Sequence, residues 1–288
     1  MSGRLQGKTA IIVGAGQSPG ETIGNGRAIA VLFARHGAQV FCVDRRLESA
    51  AETVAMITAE GGSAAPFQAD VSRDAGCAAV VAEAKSRWGR IDILVNNVGI
   101  GGSGDGPAHR ADEAAWDRIM SVNLKSAWMT IKHTVPIMRA QAAGSIVNIS
   151  SLASLAGGNQ VAYEVSKAGM NRLTTSVANA NAAHGVRCNA VLPGLMDTPM
   201  AISGIAERPD TAGIDDPREI ILQRRFKNSN RTADISPIHV VRIACPETII
   251  SRRMIQDIAS FKSLPQSGSF AKVALPRLNV KPFQIGMI

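Results

Sequence analysis

The sequence predicts an α/β fold with a doubly wound parallel sheet, in a single domain that ends in an atypical C-terminal tail. Up to about residue 200, short apolar runs alternate with longer helical patterns, which is the order of strands and crossover helices in such a sheet. A glycine-rich turn separates the first run from the first helix. The chain of 288 residues is 45% hydrophobic but only 4% aromatic, and its many small residues suit close packing of helices on a parallel sheet.

Six strands and five main helices are predicted in alternation. The strands are expected at residues 9–13, 40–43, 65–69, 91–95, 145–149 and 186–191. The helices are expected at residues 25–36, 47–60, 74–88, 112–139 and 161–183, with shorter ones at 218–225 and 249–261. Gly37 and Gly61 are placed to end the first two helices, and Pro136 interrupts the fourth. Because ligands bind such sheets beyond the carboxyl ends of the strands, the residues that follow each strand are the functional candidates.

Charge and composition exclude several classes of protein. The formal net charge is +8, but most of it belongs to the tail, because residues 227–288 hold nine Lys/Arg against three Asp/Glu. The main domain therefore lacks the positive charge expected of a nucleic-acid binder. No apolar run approaches the ~20 residues that cross a membrane, and the N-terminus has no signal-peptide pattern. The four cysteines lack C-x-x-C spacing and the five histidines lack metal-ligand spacing, so we expect reduced cysteines, a cytoplasmic location and no metal site.

The turn after the first strand has the composition of a dinucleotide-binding turn. Gly14 and Gly16 follow the strand, and Gly24, Asn25 and Gly26 open the first helix. Glycines let backbone N–H groups approach a pyrophosphate, and a helix N-terminus favours its negative charge. A glycine cluster alone is also typical of an ordinary turn, but the position of this one between strand and helix favours the dinucleotide interpretation.

The end of the second strand bears on the choice of cofactor. Asp44 stands there, 18 residues after Gly26, where a carboxylate can accept hydrogen bonds from the adenosine ribose and repel a 2′-phosphate. Arg45 and Arg46 follow at once, and arginine can pair with a 2′-phosphate. NAD is therefore favoured, with NADP as the alternative. Alternatively, Asp44 is an ordinary solvated aspartate at the end of a strand and does not bind a cofactor.

The ends of the third and fourth strands add candidates for the same cofactor. Asp70 and Val71 could flank the adenine, and Asn97 and Gly99 could line the cofactor with backbone atoms. Both pairs directly follow a predicted strand, so we expect them at the same edge of the sheet as the glycine-rich turn.

Tyr163 and Lys167 stand four residues apart in a predicted helix, so their side chains lie on one face. A lysine beside a tyrosine favours the phenolate and lowers the tyrosine pKa from its free value of about 10. A tyrosine tuned in this way can give a proton to a carbonyl or take one from an alcohol. In isolation, such a pair is more often an ordinary surface pair, so its place in the chain decides the interpretation.

Taken in order along the chain, these residues resemble the short-chain dehydrogenase/reductase family over roughly residues 5–200. The ordered set is the glycine-rich turn, Asp44, Asp70, Asn96-Asn97-Val98-Gly99, Asn123, Ser150-Ser151, Tyr163-x-x-x-Lys167 and Pro193-Gly194. The resemblance implies a Rossmann-type, NAD(P)-dependent oxidoreductase that is commonly a homodimer or homotetramer.

The resemblance also implies a role for each catalytic residue. Tyr163 is the acid/base, while Lys167 holds the nicotinamide ribose and depresses the pKa of the tyrosine. Ser151, twelve residues before Tyr163, hydrogen-bonds the substrate oxygen, and Ser150 is the neighbouring alternative.

Further roles follow from the same resemblance. Asn123 supports a proton-relay water at Lys167, the alternative being an ordinary polar residue of its helix. Pro193, Gly194 and Thr198 form the segment over the nicotinamide, and Thr198 reaches the carboxamide.

Three departures from the family lie near the site. Val13 replaces the threonine usual before the first glycine, and Val98 replaces an alanine. The glycine-rich loop is also longer than usual, as it is in the enoyl-reductase branch. That branch spaces its tyrosine and lysine seven residues apart, but Met170 stands at that position here. The spacing of Tyr163 and Lys167 therefore indicates the branch that acts on carbonyls and alcohols.

The end of the chain departs furthest from the family. The resemblance predicts a final helix, a Thr-Gly turn and a last strand, and none is recognised after Phe226. We therefore separate residues 1–226, an NAD(P)-binding domain with a substrate loop at about residues 195–226, from an atypical basic tail at residues 227–288. The tail is either a divergent extension or the product of a reading frame displaced after about residue 236, which sequencing of the coding DNA would distinguish.

The leading functional prediction is hydride transfer between NAD(H) and a secondary alcohol/ketone pair. The alternative is a protein that binds the cofactor but is catalytically impaired and acts as a binding partner. A nucleic-acid role of the tail is disfavoured because the tail lacks interleaved aromatic residues. The substrate pocket is expected at residues 100–110, 152–160 and 195–226, of which the first is glycine-rich and expected to be mobile.

Overall fold

The computed structural model describes residues 3–157, 159–206 and 238–239, and these residues form one seven-stranded sheet flanked by helices. The strands are β1 (Thr9–Val13), β2 (Gln39–Asp44), β3 (Ser63–Gln68), β4 (Ile93–Asn96), β5 (Gly144–Ile149), β6 (Val186–Pro193) and β7 (Ile238–His239). Their order in the sheet is β3-β2-β1-β4-β5-β6-β7. Strands β1 to β6 run parallel, and β7 pairs antiparallel with the end of β6. The predicted doubly wound parallel sheet is confirmed.

The helices within the described residues alternate with the strands. They are α1 (Asn25–Arg35), α2 (Leu47–Ala59), α3 (Asp74–Trp88), α4 (Glu113–Met120), α5 (Ser126–Ala140), α6 (Val161–Asn181) and α7 (Pro199–Ala206). The single helix predicted at residues 112–139 is two helices, because a π-helical turn at Ser121–Lys125 joins α4 to α5. The predicted interruption at Pro136 is wrong, since Pro136 lies inside α5 and the break falls at the π-helical turn.

The hydrophobic core lies on both faces of the sheet, because helices cover each face of these parallel strands. Successive residues of a strand point to opposite faces. Ile11 and Val13 of β1 therefore pack with residues of α3 and α5, whereas Ala10 and Ile12 pack with residues of α1 and α2. Strand β1 is buried throughout, which explains its continuous apolar sequence.

The strand order reverses between β1 and β4, which leaves a crevice beyond the carboxyl ends of these strands. Across it, Asn97 Nδ2 donates a hydrogen bond of 3.0 Å to the carbonyl oxygen of Gly14. Beneath it, Thr130 Oγ1 donates to Asn96 Oδ1 (2.7 Å), and Asn96 Nδ2 donates to Asn148 Oδ1 (2.9 Å). These buried bonds hold the ends of β4 and β5 side by side, so the residues that follow the two strands are neighbours.

Several expectations for the C-terminal part fall outside the described residues. They are the helices at residues 218–225 and 249–261, the boundary after residue 226, and the displaced reading frame. Of the chain beyond residue 206, the structure describes only β7, which pairs with Leu192 and Pro193. Within residues 3–157, 159–206 and 238–239, no helix combines the length and the apolar character that crossing a bilayer requires.

Candidate active site

The glycine-rich turn brings the start of α1 into direct contact with the end of β1. Gly14 has a φ of 81°, in the left-handed region that favours glycine. A Cβ at Gly26 would overlap the carbonyl oxygen of Gly14 and lie 2.5 Å from Asn97 Nδ2. The first turn of α1 begins at Asn25 and contains no acidic residue, and its N-cap Gly24 provides no side-chain cap. This helix N-terminus therefore fits a pyrophosphate, whose negative charge it favours.

The long loop between the glycines is closed by Gln17, a residue that the sequence did not single out. Gln17 Oε1 accepts a hydrogen bond from the backbone N–H of Gly24 (2.9 Å), and Nε2 donates to the carbonyl oxygen of Thr22 (3.3 Å). Farther along the loop, Gly20 packs against the first residue of α7, since a Cβ at Gly20 would lie 2.9 Å from Pro199 Cβ. The loop thus reaches from the glycine-rich turn to α7. The sequence carried no signal that Gln17 would bind the N–H of Gly24 at the start of α1, because glutamine is not among the residues preferred for capping a helix start.

Asp44, the last residue of β2, has its carboxylate fixed by two backbone groups. Oδ2 accepts from the N–H of Gly16 and Oδ1 from the N–H of Arg46, both at 3.0 Å. The Arg46 guanidinium donates to the carbonyl oxygen of Gln17. The carboxylate therefore stands beside the glycine-rich turn, with an arginine engaged on the adjoining loop.

Asp70 and Val71 follow β3, which is an edge strand of the sheet. Asp70 Oδ1 accepts from Ser72 Oγ (2.6 Å) and from the N–H of Ser72 (3.0 Å). The hydrogen bond from the serine hydroxyl is the main cause that lowers the pKa of Asp70. Val71 is buried in the core. Both residues are therefore fixed in a turn at the carboxyl edge of the sheet.

Lys167 lies in α6 with its charged end inside the protein. The residue is 3% exposed, and its Nζ donates to the carbonyl oxygen of Ile149 at 2.9 Å. Nζ stands 5.7 Å from the centroid of the Tyr163 ring. The backbone of Gly99 approaches so closely that a Cβ there would lie 3.1 Å from Nζ. Burial lowers the pKa of Lys167 to about 8.

The pKa of Tyr163 shifts in the direction opposite to the prediction. Burial raises it above its ordinary value, and a hydrogen bond with the Ser151 side chain has the smaller, opposing effect. The Lys167 ammonium lies against the tyrosine ring and is already engaged by the Ile149 carbonyl. The expectation that Lys167 lowers the pKa of Tyr163 is therefore wrong for this structure, because the loss of hydration on burial sets the direction and only the Ser151 hydrogen bond opposes it.

The two neighbouring serines have different surroundings. Ser150 is buried, and its Oγ donates to the carbonyl oxygen of Lys167 at 3.0 Å, so it holds α6 against β5. Ser151 Oγ accepts from the N–H of Ala153 at 3.1 Å, and the Ser151 side chain also hydrogen-bonds Tyr163. Of the two serines, only Ser151 is placed to share a substrate oxygen with the phenol.

Asn123 is fully buried in the π-helical turn, a type of irregularity that is frequent at functional sites. Its Oδ1 accepts from the N–H of Ile100 (2.7 Å), and its Nδ2 donates to the carbonyl oxygen of Ile100 (2.9 Å). Nδ2 also donates to Ser166 Oγ at 3.0 Å. The side chain therefore braces the segment after β4 against α6, next to Lys167. Its support of a relay water stays a prediction.

The segment after β6 carries the last predicted site residues. Pro193 ends β6, Gly194 follows it, and Thr198 precedes α7. Thr198 Oγ1 accepts from the N–H of Ala201 at 3.3 Å, and its carbonyl oxygen accepts from the N–H of Ile202 at 3.0 Å. Thr198 thus begins α7 as its cap, and its contact with a carboxamide stays a prediction.

Comparison with known proteins agrees with this geometry. The family model for short chain dehydrogenases matches residues 8–208. The chain belongs to this family. It is 37% identical over 198 residues to the 3-oxoacyl-(acyl-carrier-protein) reductase of Thermotoga maritima, an alignment that covers 68% of this chain and 77% of the relative.

Solved structures lead to the same family. A provisionally named short-chain dehydrogenase/reductase from Burkholderia xenovorans is 42% identical, with a TM-score of 0.72 over 78% of this chain and 83% of that chain. A 7α-hydroxysteroid dehydrogenase complexed with NADH and 7-oxo glycochenodeoxycholic acid is 32% identical, with a TM-score of 0.65 over 72% of this chain and 77% of that chain. This short-chain dehydrogenase is therefore an oxidoreductase that acts on CH–OH groups with a nicotinamide cofactor.

Proposed function

We propose that this short-chain dehydrogenase transfers a hydride between NAD(H) and a secondary alcohol/ketone pair, with Tyr163 as the acid/base. The observation that carries the proposal is that two side chains of α6 meet residues that follow β5 and β4. Tyr163 hydrogen-bonds Ser151 after β5, and its ring faces Lys167, whose Nζ lies next to Gly99 after β4. A phenol, a hydroxyl and a cation at the strand ends form a site that can bind a carbonyl oxygen and protonate it.

Each side chain has a distinct part in this chemistry. In ketone reduction, Ser151 holds the carbonyl oxygen and Tyr163 gives it a proton; in alcohol oxidation, the proton returns to Tyr163. Burial raises the pKa of the phenol, so in the absence of cofactor the site favours the protonated form that reduction uses over the phenolate that oxidation requires. When bound, the nicotinamide supplies or accepts the hydride. Lys167 holds the nicotinamide ribose from its place beside Gly99, and Asn123 braces that segment.

The remaining cofactor contacts follow the strand ends. The residues proposed for the pyrophosphate share the glycine-rich turn, and those proposed for the adenine and nicotinamide share the ends of β3, β4 and β6. They are Gly14, Gly24, Asn25 and Gly26 for the pyrophosphate, Asp70 and Val71 for the adenine, and Asn97, Gly99, Pro193, Gly194 and Thr198 for the nicotinamide half.

NAD is the proposed cofactor because of the charge at the end of β2. The Asp44 carboxylate is held beside the glycine-rich turn by Gly16 and Arg46, so it cannot turn away from an adenosine ribose without breaking two hydrogen bonds. A fixed carboxylate repels a 2′-phosphate. Arg46 is engaged by the Gln17 carbonyl and is therefore less available to pair with that phosphate.

We expect Asp44→Asn to shift the preference from NAD toward NADP. The amide keeps the size of the side chain but removes the negative charge, and Arg45 and Arg46 remain beside it. The ratio of kcat/KM with NAD to that with NADP is expected to fall about 10- to 100-fold. This range corresponds to about 1.4–2.7 kcal/mol for the lost repulsion between the Asp44 carboxylate and a 2′-phosphate. Steady-state kinetics with both cofactors measure it. An unchanged ratio would remove Asp44 from the cofactor site.

A panel of ketones with NADH, and of alcohols with NAD, tests the proposed function beside a fluorescence titration with NADH. The first candidates are 3-oxoacyl thioesters and oxo-steroids, the classes named for two of the similar proteins, followed by cyclic ketones and sugars. We expect NADH binding together with turnover of at least one class. NADH binding without turnover of any member would favour the alternative of an impaired, cofactor-binding protein, and the absence of both would contradict the proposal.

A further inference from the structure

Asp105 lies between β4 and α4, and its carboxylate contacts the first turn of α6. Oδ1 accepts hydrogen bonds from the N–H groups of Ala162 (3.0 Å) and Gly106 (2.9 Å). Oδ2 accepts from the N–H of Tyr163 at 3.0 Å. A side chain that stands 58 positions earlier in the chain therefore holds the backbone of Tyr163 directly.

The segment that carries Asp105 is itself tied down at several points. The carbonyl oxygen of Gly104 accepts from the N–H of Asp112 (2.8 Å), and that of Gly106 accepts from the N–H of Val161 (2.9 Å). Gly104 has a φ of 86°, which lets the chain turn sharply just before Asp105. The glycine-rich segment that the sequence suggested to be mobile is thus bound to the first three residues of α6.

These bonds satisfy groups that α6 cannot satisfy by itself. The first N–H groups of a helix have no partner within the helix, and the N-cap of α6, Gln160, makes no side-chain cap. A carboxylate at a helix N-terminus is also favoured by the helix dipole. The orientation of the turn that carries Tyr163 therefore depends on a carboxylate from outside the helix.

We propose that Asp105 is a positioning residue for Tyr163. Its carboxylate fixes the first turn of α6 on the segment after β4 and so places the phenol against Ser151. Glu164 acts on the other side of this turn, because its Oε1 accepts from the N–H groups of Asn159 and Gln160, both at 3.1 Å. The catalytic meaning of the proposal depends on the proposed function of Tyr163, whereas the positioning itself depends only on this geometry.

The chain contains one tyrosine, so a tyrosine-specific probe reports on Tyr163 alone. We would label the full-length protein with 13C-tyrosine and follow the phenol carbon by NMR as the pH is raised. In Asp105→Ala, the resonance is expected to move and the pKa of Tyr163 to fall toward its ordinary value of about 10. The loosened turn exposes the phenol, and the lost negative charge favours the phenolate. Asp105→Asn keeps one acceptor oxygen and is expected to give an intermediate result.

Asp74→Asn is the matched control for these variants. Asp74 is a carboxylate at another helix start, here within the first turn of α3 itself, and its side chain accepts from Lys132 Nζ at 3.0 Å and lies 2.9 Å from His133 Nε2. Its replacement removes the same charge from another helix start, and we expect the tyrosine resonance to stay at its wild-type position.

Kinetics with a ketone from the panel, such as a 3-oxoacyl thioester, add a second measure. Asp105→Ala is expected to lower kcat about 10- to 100-fold, because a displaced catalytic group loses rate steeply. The KM for the ketone and the affinity for NADH are expected to stay near wild type, and Asp105→Asn is expected to restore part of kcat. In a Tyr163→Phe background, Asp105→Ala is expected to change the residual rate little, since the group it positions is already lost.

An unchanged tyrosine resonance and pKa in folded Asp105→Ala would overturn the proposal. Circular dichroism establishes whether the variant is folded. If the alanine variant does not fold, the same NMR measurement is made on the isosteric Asp105→Asn, and an unchanged tyrosine resonance and pKa in that variant would equally overturn the proposal. Failure of the proposed function gives another pattern: Tyr163→Phe retains turnover while the Asp105 variants still move the tyrosine resonance.

Discussion

Replacing Tyr163 by phenylalanine is expected to lower kcat by about 10²- to 10⁴-fold, the usual contribution of a positioned acid/base, and to leave the affinity for NADH close to wild type. The change removes one oxygen atom and keeps the ring that faces Lys167 Nζ at 5.7 Å. The groups proposed to hold the pyrophosphate and the adenosine ribose lie at the ends of β1 and β2, away from the phenol. Proton transfer should therefore fail while the cofactor still binds.

Steady-state turnover and an NADH fluorescence titration on the same preparation separate these two effects. The adjacent serines supply a matched pair of controls. Ser151→Ala removes a hydroxyl that bonds the phenol and is expected to lower kcat strongly, whereas Ser150→Ala removes one that bonds the Lys167 carbonyl and is expected to cost less activity. Turnover near the wild-type rate in Tyr163→Phe would contradict the assignment of the acid/base.

The regular part of the fold could be predicted because its physical signals are local. Strands that are buried on both faces appear as continuous apolar runs, and the predicted bounds of β1 (Thr9–Val13) and α3 (Asp74–Trp88) coincide with the observed ones. The candidate residues after the strands could be predicted for a related reason. In a parallel sheet, all the carboxyl ends lie at one edge, so Asp44, Asn97 and Ser151 are brought to that edge by topology alone.

The break between α4 and α5 could not be predicted, because its partners are distant in the chain. Pro136 is the local signal for a break, yet it lies inside α5. The observed break surrounds Asn123, whose side chain bonds both backbone groups of Ile100, 23 residues away. A long-range contact of this kind leaves no mark on hydrophobic periodicity.

Two features of the site were missed for the same reason. Asp105 lies between glycines, a composition that indicates a turn, and nothing local shows that its carboxylate binds the N–H of Tyr163. The direction of the Tyr163 pKa was also missed. The i,i+4 spacing places a cation near the phenol, but burial sets the direction of the pKa shift, and burial depends on the packed structure.

Replacing Lys167 by methionine is expected to lower kcat at least about 100-fold through the lost positioning of the ribose, and to change how stability depends on pH. Burial lowers the pKa of Lys167 from 10.5 to about 8, so the ammonium costs the folded protein about 3 kcal/mol at neutral pH. Methionine removes that cost but leaves the Ile149 carbonyl without its donor, which costs about 1–3 kcal/mol. The two effects nearly cancel at pH 7, and the informative quantity is therefore the pH dependence.

Between the folded pKa of about 8 and the unfolded value of 10.5, the unfolded chain keeps a proton that folded Lys167 has released. The free energy of unfolding of the wild type therefore rises with pH in this window, and Lys167→Met lacks that contribution. From about pH 7 to about pH 9.5, the wild type is expected to gain about 2 kcal/mol relative to the variant. Urea unfolding of both proteins at the two pH values measures the gain, since groups common to both contribute equally. A difference that stays constant would mean that position 167 holds its charge at no cost, and burial against the Ile149 carbonyl would then not control the titration of this lysine.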